Sequence, residues 1–158
     1  MTPQEIHARL REKFGEAVAD WAAPEAGDAW IGVRPDALHA VAAFLQSDPA
    51  LAFDYLRIVT GVDFSDRIAS VYHLYSYPHR HSITLRVDLP REAPRLASVA
   101  DLWPAADWHE REAWDMMGID YEGHPDLHRI LLPEDWEGHP LRKDYKAPDE
   151  YHGITNHA

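Results

Sequence analysis

The sequence predicts an α+β domain of two layers, with helices packed on a largely antiparallel or mixed β-sheet, followed by a long irregular C-terminal extension. Three observations carry this: apolar residues at helical spacing near the N-terminus, a change to period two in the middle, and loss of periodicity after Gly118. A chain of 158 residues is the size of one ordinary domain with extensions. The expected division is an α+β domain over 1–118 and an extended arm over 119–158 that docks on a partner.

Thr2-Pro3-Gln4-Glu5 fits a capping box with proline at the first helical position, and Ile6, Leu10 and Phe14 follow at four-residue spacing. After the Ala, Gly and Pro stretch around Pro24 to Gly27, the run Ala29-Trp30-Ile31-Gly32-Val33 reads as a short strand. Pro35 opens a second helix with Leu38, Val41, Ala42 and Leu45 on one face, and Ser47-Asp48-Pro49 stops it. Three runs near 55–63, 68–77 and 81–89 are rich in β-branched and aromatic residues and separated by short links, which predicts an antiparallel meander. In the last, Ile83, Leu85, Val87 and Leu89 should point inward, and Thr84, Arg86 and Asp88 outward. Asp107-Trp108-His109-Glu110 is a second capping pattern, and its helix should end at Gly118.

The remaining 40 residues hold Pro, Gly, Trp and charge around one apolar knot, Ile130-Leu131-Leu132. Tyr121, Leu127, Leu132, Trp136, Leu141 and Tyr145 make this segment too apolar for a solvated tail, so it should fold against something, either its own domain or a partner. Trp30 and Phe44 read as core. Trp136, set among carboxylates, reads as an anchor for docking.

Composition narrows the function. No cysteine excludes disulfides, thiolate zinc sites and cysteine-ligated iron–sulfur clusters within this chain. Fifteen Lys and Arg against 27 Asp and Glu leave a charge of -12, which disfavours nucleic acid and anionic lipid as partners. Thirteen acids against five bases over 107–158 put most of that charge at the C-terminal end. No apolar run reaches the roughly 20 residues of a membrane span, and MTPQEIHARL lacks the pattern of a signal peptide, so a cytosolic location is expected.

Three constellations could carry chemistry. His124, Asp126 and His128 have a spacing that could hold a metal, against the ordinary reading of histidine before proline as a hydrogen-bonding turn residue. On a helix, Trp108, Arg111, Glu112 and Asp115 share a face, and Arg111 can also reach back to Asp107. This stripe is either an exposed ion-pair ladder or a buried junction at which Arg111 bridges carboxylates between the domain and its arm or a partner. The third is the pair of triplets Gly123-His124-Pro125 and Gly138-His139-Pro140. No nucleophile or oxyanion pattern accompanies the carboxylates, and no phosphate-binding glycine loop is present.

One long, ordered set of motifs resembles a known family. It runs through Asp101-Leu102-Trp103-Pro104-Ala105-Ala106, then Glu110-Arg111-Glu112 with Asp115-Met116-Met117-Gly118-Ile119, then Gly123-His124-Pro125-Asp126-Leu127. Arg129-Ile130-Leu131, Pro133-Glu134-Asp135-Trp136 and Gly138-His139-Pro140-Leu141-Arg142-Lys143-Asp144-Tyr145 complete it. Together these resemble the C subunit of bacterial NADH:quinone oxidoreductase, respiratory complex I. His128 stands where many relatives carry a second arginine.

The resemblance implies a non-catalytic subunit of the hydrophilic arm of this proton-translocating respiratory-chain NADH dehydrogenase, one that supports assembly and the quinone-reducing module. It implies no cofactor in this chain, with FMN and iron–sulfur clusters in partner subunits. The implied partners are the large D subunit, which helps form the quinone site, and neighbouring iron–sulfur subunits. The implied location is the cytoplasmic side of the cell membrane, reached through the complex. Arg111, Glu112, Asp115, His124, Asp126, Arg129, Trp136, His139, Arg142, Lys143, Asp144 and Tyr145 are the expected partner-interface residues. The alternatives are the homologous subunit of a membrane-bound hydrogenase-type complex, or a His/carboxylate metalloenzyme.

Overall fold

The computed structural model describes residues 1–25 and 28–155. Helix α1 (Pro3–Phe14) opens with the reciprocal capping box: the Thr2 N–H donates to Glu5 Oε2 at 2.7 Å, and the Glu5 N–H donates to Thr2 Oγ1 at 3.2 Å. Ile6 and Leu10 are buried; Phe14 is partly buried and meets the Phe44 ring edge-on at 5.7 Å. Strand β1 (Val18–Ala22) follows and pairs antiparallel with β2 (Trp30–Val33). Sequence periodicity does not reveal β1, because its five residues carry one buried side chain, Val18, and an irregular register before Trp21. The predicted loop around Pro24 to Gly27 lies partly outside the described residues.

Pro35 begins a single 3₁₀ turn (Pro35–Ala37), and helix α2 (Leu38–Ser47) continues from it with Leu38, Val41, Ala42 and Leu45 buried as expected. The meander is present as β3 (Tyr55–Asp63), β4 (Arg67–Ser76) and β5 (His81–Pro90), paired antiparallel in that order. The five-stranded sheet has the order β1-β2-β5-β4-β3, and β2 lies parallel to β5, so the sheet is mixed. Ile83, Leu85, Val87 and Leu89 point inward. Thr84 departs from the expected alternation: it is buried, with its hydroxyl 3.2 Å from His73 Nδ1. Phe44 packs on the core, whereas Trp30 is only partly buried, beneath the Arg86 guanidinium at 4.5 Å.

A second, two-stranded parallel sheet joins β6 (Arg95–Ala97) to β7 (Asp120–Glu122). Between them runs helix α3 (Ala105–Met117), which lies against β3. It begins three residues earlier than the Asp107 cap predicts: Pro104 is the capping residue, and Asp107 sits in the first turn. Gly118 ends the helix with φ +71°, the left-handed conformation the sequence predicts. The chain closes with a small hairpin, β8 (Glu150–Tyr151) and β9 (Ile154–Thr155).

Candidate functional site

Helix α3 presents four faces to four environments. Ala106, Glu110 and Ala113 point into the core; Arg111 and Asp115 point toward the arm; Glu112 and Met116 turn toward the edge strand β3; Trp108 remains largely exposed. From residue 124 the arm lies against this helix and is tied to it at successive points.

The first tie is His124, whose side chain is fully buried. Its Nδ1 accepts the Asp126 N–H at 3.0 Å, so its Nε2 donates to the Asp107 carbonyl at 3.1 Å. Asp107 thus serves through its backbone as a landing point for the arm. The second tie is Arg111, which donates to His128 Nε2 at 2.6 Å while stacking over the Trp108 ring at 4.9 Å. His128 Nδ1 in turn donates to Asp126 Oδ1 at 3.0 Å. The bridge expected from Arg111 to carboxylates is therefore corrected: Arg111 is buried at the junction between domain and arm, but its partner is an imidazole.

Asp115 is the third and densest tie. Its Oδ1 accepts from Arg129 Nη1 at 2.6 Å, and its Oδ2 accepts three successive backbone N–H groups, from Ile130, Leu131 and Leu132, at 3.1, 2.8 and 3.1 Å. Burial pushes this carboxyl up, but Arg129 and the three amides outweigh burial and hold it below the usual carboxylate range. The apolar knot thus contributes its backbone to the site, with the Leu131 side chain left exposed. Arg129 also donates to the carbonyls of Trp136 and Gly138 and lies over the Trp114 ring, so one guanidinium gathers the helix and both limbs of the arm.

The second Gly-His-Pro triplet then wraps the C-terminus of α3. His139 Nδ1 donates to the Asp115 carbonyl at 3.0 Å, the Leu141 N–H to the Met116 carbonyl at 3.1 Å, and Arg142 Nε to the Met117 carbonyl at 2.7 Å. The Gly118 N–H donates to the Trp114 carbonyl at 2.8 Å. All four terminal carbonyls are satisfied, and Arg142 places a cation at the negative end of the helix dipole. Burial, with Arg142 and Arg129 nearby, holds the His139 imidazole below its usual range against the pull of the Asp115 carbonyl. Gly138 lies so close to the Tyr145 ring that a Cβ there would sit 2.9 Å from it.

The last tie returns to the sheet. Asp63, at the end of β3, accepts from Arg91, from the Ser65 N–H at 2.7 Å and from the Lys143 N–H at 2.8 Å; Arg91 also pairs with Asp144 at 2.8 Å. Trp136 faces Tyr151 with ring centroids 4.9 Å apart, and Asp135 accepts from the Tyr151 hydroxyl and from His152. Of the expected interface residues, Glu112, Asp126, Lys143 and Asp144 are exposed; the others are wholly or partly covered by contacts within the chain.

Sequence reasoning missed Asp63, Arg91 and Glu110. Glu110 carried a signal, since it stands between Ala106 and Ala113 on the core-facing stripe. Fully buried, it accepts from Ser98 Oγ at 2.5 Å and the Val99 N–H at 2.8 Å, and burial pushes its carboxyl up to about 7. Tyr121 is buried nearby, its hydroxyl 3.0 Å from Ser70 Oγ. Asp63 and Arg91 carried none, lying 28 residues apart at the ends of different strands.

The metal reading of His124, Asp126 and His128 is corrected. Every ring nitrogen of the two histidines is engaged with a protein partner, and one faces the Arg111 cation, so no shared set of lone pairs remains for an ion. Among the described residues no group of three or more His, Cys, Asp or Glu is placed to hold a metal, and no helix is long and apolar enough to cross a membrane.

Fold and junction define a class: an α+β domain whose C-terminal arm is tied along its last helix and finishes that helix's end. The chain belongs to the family described as respiratory-chain NADH dehydrogenase, 30 Kd subunit, whose model matches residues 31–151. A relative from Chloroherpeton thalassium, named as the C subunit of NADH-quinone oxidoreductase, is 47% identical over 96% of this chain and 65% of its own length. This chain therefore spans about two thirds of that relative. A second protein of that name, from Chlorobium phaeobacteroides, is 43% identical over 92% of this chain and 89% of its own. Among solved structures, the trypsin-resistant fragment (1-134) of Nqo5 matches with a TM-score of 0.66 and 32% identity, over 80% of this chain and all of the fragment. The archaeal membrane-bound sulfane sulfur reductase contains a chain with a TM-score of 0.72 and 23% identity, over 90% of this chain and 85% of that one, a likeness of fold.

Proposed function

We propose that this chain is a non-catalytic subunit of the hydrophilic arm of proton-translocating NADH:quinone oxidoreductase, supporting assembly and the quinone-reducing module. The observation that carries the reading is the α3–arm junction. The motif residues that resemble the family, from Arg111 to Tyr145, are devoted to shaping and fixing an extended arm, which is what a docking subunit needs. FMN and iron–sulfur clusters belong to partner subunits in this reading, and electrons pass from NADH to quinone outside this chain. Its neighbours are the large D subunit and iron–sulfur subunits, with Glu112, Asp126, Lys143 and Asp144 exposed for them. The membrane is reached through the complex, on the cytoplasmic side of the cell membrane.

The test is to tag the native copy, isolate it gently from membranes, identify what travels with it and assay NADH:quinone reductase. Recovery with the D, iron–sulfur and NADH-binding subunits, with activity, is expected. Recovery with hydrogenase subunits and without NADH activity would transfer the same role to the other machine, and recovery alone would end the subunit reading.

A further inference from the structure

Strand β3 is the edge of the five-stranded sheet, and along Tyr55 to Val62 its outward backbone groups have no backbone partner among the described residues. Natural edges are protected by charged residues, above all lysine, by proline, by a bulge or by a covering element, because an open row of N–H and C=O groups recruits another strand. The sequence of β3, YLRIVTGVD, contains neither lysine nor proline; its exposed charge, Arg57, and its one irregularity, between Leu56 and Ile58, lie together near the start of the strand and leave a regular run from Ile58 to Asp63. Tyr55 and Ile58 stay 45% and 41% exposed, on a protein whose other strands bury most of their apolar residues.

Beside this edge lies a groove of about 60 Å³ between Ile58–Gly61 and α3, lined on the far side by Ala113, Met116, Met117 and Leu141. Leu141, delivered by the arm, is 58% exposed at its rim. The groove is too small for a cofactor and suited to apolar side-chain ends, and methionine makes its wall adaptable. Glu112 stands on the same rim, exposed and without a hydrogen bond or ion pair among the described residues. One turn earlier, Trp108 is 62% exposed.

We propose that β3 and this groove receive an extended segment of a neighbouring polypeptide, which adds a strand to the sheet, places alternate apolar side chains against Met116, Met117 and Leu141, and sets a lysine or arginine against Glu112. Three features select this occupant. The free backbone row specifies an extended chain, the two-sided groove specifies alternation, and the unpaired carboxylate on a chain of charge -12 specifies a cation. The inference rests on the subunit reading above, since it needs a neighbouring polypeptide.

The test compares backbone hydrogen exchange across residues 55–63 in the full-length chain alone and in the gently isolated complex. A photocrosslinking residue replaces Ile58 in a parallel preparation, and Glu112→Lys is carried as a variant. Strand addition slows exchange of the outward β3 amides by about tenfold or more in the complex. It also joins position 58 to a segment of another subunit, and Glu112→Lys lowers recovery in the complex several-fold with an unchanged Tm of the isolated chain. Equal exchange in both states, or a crosslink from 58 only to position 58 of a second copy, overturns the inference. Recovery with the oxidoreductase subunits but equal exchange sinks the strand addition alone. Recovery of the tagged chain without any partner sinks both readings.

Discussion

Asp115 and Arg129 form a salt bridge that is closed on both sides: the carboxylate is fully buried, the guanidinium side chain is 10% exposed, and the two meet at 2.6 Å. The remaining carboxylate oxygen is consumed by three amides of the same arm, so this pair joins helix to arm with its lone pairs satisfied. Such a pair is sensitive to loss of one partner. Asp115→Asn keeps the shape but leaves Arg129 charged in the junction, and a loss of about 3–5 kcal/mol in urea unfolding is expected. Trypsin should then cut at Arg129 and Arg142 while α1 to β5 stay folded. An unchanged midpoint with an uncut arm would show that the arm is held by other contacts.

Gly118→Ala is expected to cost more than Gly123→Ala, although both glycines have positive φ, +71° and +81°. At Gly123 the added methyl meets open space, leaving about 1 kcal/mol of backbone strain. At Gly118 it lands 2.5 Å from His139 Cδ2 and 2.9 Å from Arg142 Nη2, displacing two residues that cap α3. Paired denaturation curves decide this; equal losses would mean that the wrap around the helix end yields without cost.

Glu110 sets a pH dependence. Burial raises its folded pKa from 4.5 to about 7, so the folded chain retains a proton that the unfolded chain releases in that interval. The stabilising contribution is fully present below about pH 4.5 and is lost as pH rises through about 7. Glu110→Gln should flatten this slope and gain on the wild type as pH approaches about 8, in denaturation midpoints taken across the range. Parallel curves for the two proteins would remove Glu110 from the account.

Asp63 works in the opposite direction. Arg91 and the backbone N–H groups of Lys143 and Ser65 hold its carboxyl far below the usual range despite burial. Its contribution is present above the unfolded pKa of about 4 and is lost as pH falls through the lower folded value. Asp63→Asn should therefore lose stability at neutral pH and approach the wild type in acid. A variant gap that stays constant with pH would count against the charge as the cause.

Trp136→Ala should release the terminal hairpin and little else. The ring pairs with Tyr151 at 4.9 Å, a contact worth about 0.5–1.5 kcal/mol. Amides at 150–155 should exchange fast in the variant while global unfolding shifts by about 1 kcal/mol or less. Loss of the whole cooperative transition would show that the hairpin reaches the core.

The regular elements were legible because their signals are local. Thr2 and Glu5 lie three residues apart, the Leu38–Leu45 face repeats at helical spacing, and Gly118 marks its own helix end. The short strands β1, β6 and β7 were not, since three to five residues with few buried side chains leave no period to read. The junction was half legible. Arg111, Asp115, His139 and Arg142 stood out by type, but the exchange of partners that gives Asp115 to Arg129 and Arg111 to His128 depends on how the arm folds back. Asp63 and Arg91 give no sequence signal because their partners arrive late: Lys143 stands 80 positions beyond Asp63, and its neighbour Asp144 pairs with Arg91.

The Met117 carbonyl waits for Arg142, made 25 residues later. On a ribosome adding about 5–20 residues per second, that is a delay of roughly one to five seconds. During it the last turn of α3 has no lid, although Asp115 meets its counterion, Arg129, after only 14 residues. The final turn of the helix is therefore among the last parts of this protein to mature. A nascent chain interrupted before residue 142 would present quality-control proteases with a frayed end next to the open edge of the sheet.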